Sequence, residues 1–232
     1  MKKSRHEYKF QIDEKDIVLL KSRIGAVMRK DAHVSEQGFY HIRSIYFDDY
    51  ADTCYYQNEA GTDPRAKYRI RIYNADDARI RLEKKVKQNG KTRKYSAPLS
   101  RKQAETLING KILPMDQASF ETYPELLKNF LVLMQTRRMQ PKVMVVYDRI
   151  PYVDPRGNVR VTLDRNIAAS TDFEHFFEKD LIKEPILPTG VHLLEVKYDE
   201  FLPMHIKARL DLGHLRQTTF SKYYLCRKRK KA

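Results

Sequence analysis

Lys67-Tyr68-Arg69-Ile70-Arg71-Ile72-Tyr73, followed by Arg79-Ile80-Arg81-Leu82-Glu83-Lys84-Lys85-Val86-Lys87, alternates charged and apolar residues with the period of a β-strand. Successive strand side chains point to opposite faces. Two neighbouring strands of this kind present one basic face, and Tyr68, Ile70, Ile72, Ile80, Leu82 and Val86 make the other face apolar, broken by Lys84. Between Arg65 and Lys94 twelve Lys or Arg residues stand against three acidic ones, so the charged face is strongly unbalanced. Like charges at i and i+2, roughly 7 Å apart, repel by about 2 kcal/mol at an effective dielectric of about 20, and open water screens most of that. If enclosed, the face needs interspersed carboxylates or a ligand with closely spaced negative charges. A solvated outer face of an antiparallel sheet carries the same alternation.

The pattern recurs on both sides of this stretch. Arg5, Glu7 and Lys9 alternate with Tyr8 and Phe10. Residues 142–149 read as a strand entering from Pro141, and 158–164 as its hairpin partner, with Asp154-Pro155-Arg156-Gly157-Asn158 supplying the turn. In the partner, Arg160, Thr162 and Asp164 share a face opposite Val159, Val161 and Leu163; in 191–198, Glu195 and Lys197 stand together. A sheet of this many strands commonly curls or closes, and a barrel of about eight strands can hold one elongated ligand. Helices are available to cover its outside. Asp13 is a candidate N-cap for a helix to about Lys30, Ser100 with Gln103 resembles a capping box for a helix ending at Gly110, and Pro124 and Pro203 open two more. The expected fold is α+β: a closed antiparallel β-barrel with helices packed outside.

Bulk properties set further bounds. No linker rich in Pro, Gly or Ser divides the 232 residues, so one domain is expected over 1–226, with 227–232 as a basic C-terminal tail. A formal net charge of +15 favours anionic partners. No apolar run approaches the roughly 18 residues of a membrane span, and the two cysteines, Cys54 and Cys226, make no disulfide framework. A reduced, cytoplasmic protein is the expectation. Walker and Rossmann loops, H-E-x-x-H and G-x-S-x-G are absent. Single-strand nucleic-acid binders place aromatic rings on the basic face for stacking. Here Tyr8 and Tyr68 fall on the opposite face and Tyr73 is the exception, which disfavours nucleic acid and favours a ligand that is mainly phosphate.

Arg5-His6-Glu7-Tyr8-Lys9-Phe10, Ser44-Ile45-Tyr46-Phe47-Asp48, Tyr68-Arg69-Ile70-Arg71, Glu83-Lys84-Lys85, Val146-Tyr147-Asp148-Arg149, Leu194-Glu195-Val196-Lys197 and Phe220-Ser221-Lys222-Tyr223 occur in an order that resembles the VTC domain. That is the polyphosphate polymerase domain of the vacuolar transporter chaperone family, within the triphosphate tunnel metalloenzyme (CYTH-like) superfamily. The resemblance spans nearly the whole chain and implies a basic tunnel holding triphosphate or polyphosphate, with a divalent metal, Mn²⁺ or Mg²⁺, at a glutamate. It places Lys9, Arg69, Arg71, Lys85, Lys94, Arg149, Arg160 and Lys222 at phosphate-binding positions and Glu195 at the metal; of these, Arg69, Arg71, Lys85 and Arg149 are expected to be catalytic, on the phosphates of ATP, and Lys9, Lys94, Arg160 and Lys222 to bind along the chain. It implies ATP-dependent polymerisation, with a metal-dependent triphosphatase or a non-catalytic polyphosphate or RNA binder as alternatives, and leaves room for a membrane-protein partner. Arg5 stands where many tunnel hydrolases have the first glutamate of Glu-x-Glu-x-Lys, and Thr219 where the terminal motif often has a second basic residue.

Overall fold

The computed structural model describes residues 5–32, 34, 37–211, 213 and 215–231. In chain order the elements are β1 (His6–Ile12), α1 (Glu14–Gly25), β2 (Arg29–Lys30), β3 (Tyr40–Asp48), α2 (Thr53–Glu59), β4 (Arg65–Tyr73), β5 (Asp76–Gln88), β6 (Lys91–Leu99), α3 (Arg101–Ile108), α4 (Gln117–Thr122), α5 (Glu125–Arg137), β7 (Gln140–Asp154), β8 (Val159–Ser170), β9 (Glu184–Pro185), β10 (His192–Tyr198), α6 (Met204–Leu210) and α7 (Lys222–Lys231). They gather into two compact units. The first comprises Met1–His41, Tyr147–Ala168 and Pro185–Ser221, and the second Ile42–Val146, Ala169–Glu184 and Lys222–Ala232.

In the first unit the strand order is β1-β10-β8-β7, and β2 pairs with the far end of β7. The apolar positions of the alternating pattern, Phe10 and Ile12, Val159, Val161 and Leu163, Leu194 and Val196, are buried against Ile17, Leu20 and Ile24 of α1 and Ile206 and Leu210 of α6. Helix α1 starts at the expected capping box, where the Asp13 carboxylate accepts the Asp16 N–H and Asp16 returns the bond. It ends at Gly25, not at Lys30 as its periodicity predicts, because Arg29 and Lys30 pair as a strand with Val153 and Tyr152.

In the second unit the order is β7-β3-β4-β5-β6. Ile45, Phe47, Tyr68, Ile70, Ile72, Ile80, Leu82 and Leu99 pack against α3 through Ala104 and Leu107 and against α5 through Leu127, Phe130, Leu131 and Met134. Lys84, the break in the apolar face, lays its ammonium over the Tyr68 ring at 5.3 Å, so its stem covers the core while the charge reaches outward. Helices thus cover the apolar strand face in each unit, as expected.

The closed barrel is corrected. Among the described residues β1 pairs only with β10, apart from a single bridge from Phe10 to Gln217, and β6 pairs only with β5, so both strands are open ends. Each apolar face is already buried under helices, which removes the hydrophobic gain of closure. Both edges are protected otherwise, β1 by the segment at Gln217 and Thr218 and β6 by Lys91, Arg93, Lys94 and Pro98. Residues 227–231, expected as a tail, form the last turns of α7, where Arg227 donates to both Asp52 carboxylate oxygens at 2.9 and 3.0 Å; residue 232 lies outside the described residues.

Candidate functional site

The strand register decides which charges meet. In the second unit Tyr46 lies opposite Arg69 and Ser44 opposite Arg71; Arg69 lies opposite Glu83, Arg71 opposite Arg81, and Lys67 opposite Lys85, which lies opposite Lys94. Cross-strand partners share a face, so all of these project away from the helix-covered side. Glu83 is the buried centre of this face, 3 % exposed. Arg69 donates to its Oε2 from Nε at 2.7 Å and Nη2 at 2.6 Å, Lys94 pairs with Oε1, and Arg71 Nε stands 4.0 Å from Oε2. Burial alone would raise the Glu83 carboxyl, but Arg69, Arg71 and Lys94 together hold it down at about 2. Burial also lowers Lys94, against the opposing pull of Glu83, and Arg71 and Arg69 add to the lowering.

Two further contacts fix the arginines. Arg69 Nη1 donates to the Tyr46 hydroxyl at 2.7 Å and Arg71 Nε to Ser44 Oγ at 3.0 Å. Lys222 opens α7, and the next residue anchors that end of the helix. The Tyr223 hydroxyl donates to Asp48 Oδ2 at 2.6 Å, its ring packs 5.0 Å from Tyr46, and the Lys67 ammonium sits over it at 5.1 Å.

The face of the first unit is more evenly mixed. Lys9 lies opposite Glu195, which lies opposite Thr162; Glu7 lies opposite Lys197, which lies opposite Arg160. Arg149 holds the fully buried Asp164 with two parallel bonds, Nε to Oδ1 at 2.6 Å and Nη2 to Oδ2 at 2.7 Å, and approaches Glu195 Oε1 at 3.7 Å. The guanidinium also lies 5.2 Å from the centre of the Tyr147 ring. Burial pulls Arg149 down, but Asp164 and Tyr147 outweigh it and the group is raised well above its ordinary value, so it stays a cation. Lys197 pairs with Glu195 and reaches Glu7 Oε2 at 3.9 Å. Lys9 is heavily engaged: its ammonium donates to the Phe220 carbonyl at 2.8 Å and stands 2.9 Å from Glu7 Oε1 and 3.9 Å from Glu195 Oε2. Arg160 Nη2 donates to Asp31 at 3.0 Å and to the Tyr40 hydroxyl at 2.8 Å.

Of the nine residues singled out from sequence, Arg69, Arg71, Lys85 and Lys94 lie on one face of the second unit, where Lys222 opens α7. Lys9, Arg149, Arg160 and Glu195 lie on one face of the first. Two partners were passed over: Glu83, whose carboxylate gathers the cations of its face, and Asp164, which clamps Arg149. Their strand positions showed that they share the charged faces, but their burial follows only from the register. The expectation of a charged face poor in aromatics also needs correction. Tyr68 is in the core as expected, but Tyr46 lies on the basic face, with its hydroxyl taken by Arg69.

Among the described residues no group of three or more His, Cys, Asp or Glu side chains is arranged to hold a metal. The oxygen donors on the first face are nevertheless of the hard type that Mg²⁺ and Mn²⁺ accept: the Glu195 carboxylate, Glu7 one strand away, and the unpartnered Thr162 hydroxyl. A cation that keeps phosphate oxygens and water as most of its ligands needs only one or two protein carboxylates.

No curated protein matches this sequence significantly. Among solved structures, a Bacillus halodurans protein described as a candidate adenylate cyclase aligns over 94 % of each chain with a TM-score of 0.54 and 13 % identity. A Pyrococcus horikoshii protein aligns over 97 % of this chain and 99 % of its own, with a TM-score of 0.49 and 13 % identity. At that identity the first supports the fold alone. The sequence itself matches the VTC domain over residues 4–229, a span that includes both charged faces, and the chain belongs to the VTC domain family.

Proposed function

We propose that this protein is a polyphosphate polymerase, transferring the γ-phosphate of ATP to a growing inorganic polyphosphate chain. One observation carries the reading: the register sets like charges directly opposite one another, Arg71 against Arg81 and Lys67 against Lys85 against Lys94. Such pairs destabilise a sheet, and the buried carboxylate of Glu83 offsets only part of the excess. A chain of phosphates brings negative charge at regular spacing, so each unit added meets the same kind of surface as the last. Family membership points to the same ligand class.

Phosphoryl transfer asks a protein for in-line placement and for neutralisation of spread negative charge. Arg69 and Arg71, pre-positioned by Glu83, Tyr46 and Ser44, would hold nucleotide phosphates together with Lys85, and Arg149, fixed by Asp164, would do so in the first unit. In the second unit Lys94 and Lys222, and in the first Arg160 and Lys9, would bind product phosphates, Lys9 only if phosphate oxygens displace its present acceptors. An oxygen of the terminal phosphate of that chain attacks the γ-phosphorus, the bond to the β–γ bridging oxygen breaks, and ADP leaves with the electron pair. A Mn²⁺ or Mg²⁺ held by Glu195 in place of the Lys197 ammonium, with Glu7 near it, would supply additional neutralisation of the phosphate oxygens. A metal-dependent triphosphatase is the second reading, favoured by Glu7 standing on the same face as Glu195.

The test is incubation with ATP and Mn²⁺, and separately with inorganic triphosphate and Mn²⁺, with products resolved by chain length. A ladder from ATP that disappears in Glu195→Ala, and falls about a hundredfold or more in Arg71→Ala, is expected. Phosphate release from triphosphate without a ladder would replace the polymerase by the hydrolase, and retention of polyphosphate without turnover would leave a binding module.

A further inference from the structure

We propose that Thr162 is a further substrate-binding residue of the first unit, its hydroxyl donating to a phosphoryl oxygen; this rests on the reading of that face as phosphate-binding. Thr162 is 1 % exposed, and its Oγ1 has no hydrogen-bond partner among the described residues. Its strand neighbours Val161 and Leu163 turn to the core, so the hydroxyl lies on the charged face, directly across from Glu195. A buried hydroxyl without a partner keeps the full cost of its desolvation. Valine, which β8 uses at 159 and 161, would fill a strand position without that cost.

A second orphan lies two residues away on the same face. Among the described residues Arg160 Nε is buried without an acceptor, although Nη2 of the same guanidinium is satisfied by Asp31 and Tyr40. The carboxylates nearby already serve cations: Glu195 is paired by Lys197 and flanked by Lys9 and Arg149, and Asp164 takes both bonds from Arg149. These carboxylates therefore leave the Thr162 hydroxyl and Arg160 Nε as donors without an acceptor among the described residues. A phosphoryl oxygen brings acceptors alone, and a hydroxyl beside Arg160 can meet it without adding charge to a face whose cations and carboxylates already pair with one another.

The experiment compares wild type, Thr162→Val and Thr162→Ser in two measurements: melting of the ligand-free proteins, and calorimetric titration with inorganic triphosphate and with polyphosphate. Expected are a ligand-free Thr162→Val that melts at or above the wild-type temperature, triphosphate binding weakened about tenfold to a hundredfold, and recovery in Thr162→Ser. A ligand-free Thr162→Val that melts well below wild type would show a structural hydroxyl and overturn the assignment. Wild-type binding retained in full by Thr162→Val overturns it too, while leaving the functional reading standing. A wild type that binds neither triphosphate nor polyphosphate removes both.

Discussion

Glu83 shows how a single residue links fold and site. Its carboxyl is held at about 2 by Arg69, Arg71 and Lys94 in spite of burial, against about 4.3 in an unfolded chain. Folding therefore favours the ionised form. The stabilisation is fully present above the unfolded value and is lost as pH falls toward the folded one, a window from about pH 5 to pH 2. A depression of that size corresponds to about 3 kcal/mol. Denaturant titrations across that window are expected to show wild type losing stability on acidification and Glu83→Gln losing distinctly less, with Glu83→Gln already weaker at pH 7 because three cations have lost their shared partner. Parallel curves for the two proteins would mean that Glu83 does not organise the face. The alternation in sequence identified Glu83 as a member of the basic face, and the cross-strand register made it the centre.

At the scale of elements, the turn between β7 and β8 ties local sequence to tertiary contact. Gly157 has φ of +68°, and a Cβ there would lie 2.5 Å from the Phe201 carbonyl oxygen. Gly157→Ala combines left-handed strain with a clash against backbone, so a loss of about 1–3 kcal/mol and a melting temperature lower by several degrees are expected; an unchanged melting temperature would mean that the contact is absent in solution. The hairpin and the start of α1 were legible because their signals are local: turn residues in one case, a capping box in the other. Helix α2 was not. Its first N–H groups are received by side chains upstream of its own N-cap, Thr53 by Asp49, and Cys54 and Tyr55 by Asp48, and no periodic apolar stripe marks it. The end of α1 was misjudged because Val27 and Met28 continue the helical spacing while β7 claims Arg29 and Lys30 for a strand.

For the whole molecule, a formal net charge of +15 makes polyanion affinity a strongly salt-dependent quantity. Each phosphate neutralised by a Lys or Arg releases about one counterion, so the logarithm of the binding constant for polyphosphate should fall linearly with the logarithm of salt concentration, and Arg71→Ala or Lys85→Ala should each flatten that slope by about one. A slope untouched by either variant would remove those residues from the binding face. No helix among the described residues is long and apolar enough to cross a membrane. The order of the motifs carried the resemblance to the family, and the two-residue alternation of the strands was enough to determine which residues of each strand share a charged face and which an apolar one. These follow from the sequence alone because side-chain direction in a strand depends only on position along it. Which cations oppose one another, which carboxylates are buried among them, how the sheet edges end, and that Thr162 and Arg160 keep donors with no partner among the described residues were decided by register and pairing between segments more than a hundred residues apart in some cases. Coulombic interaction and desolvation depend on distance and burial in space, and no periodicity within one strand encodes either.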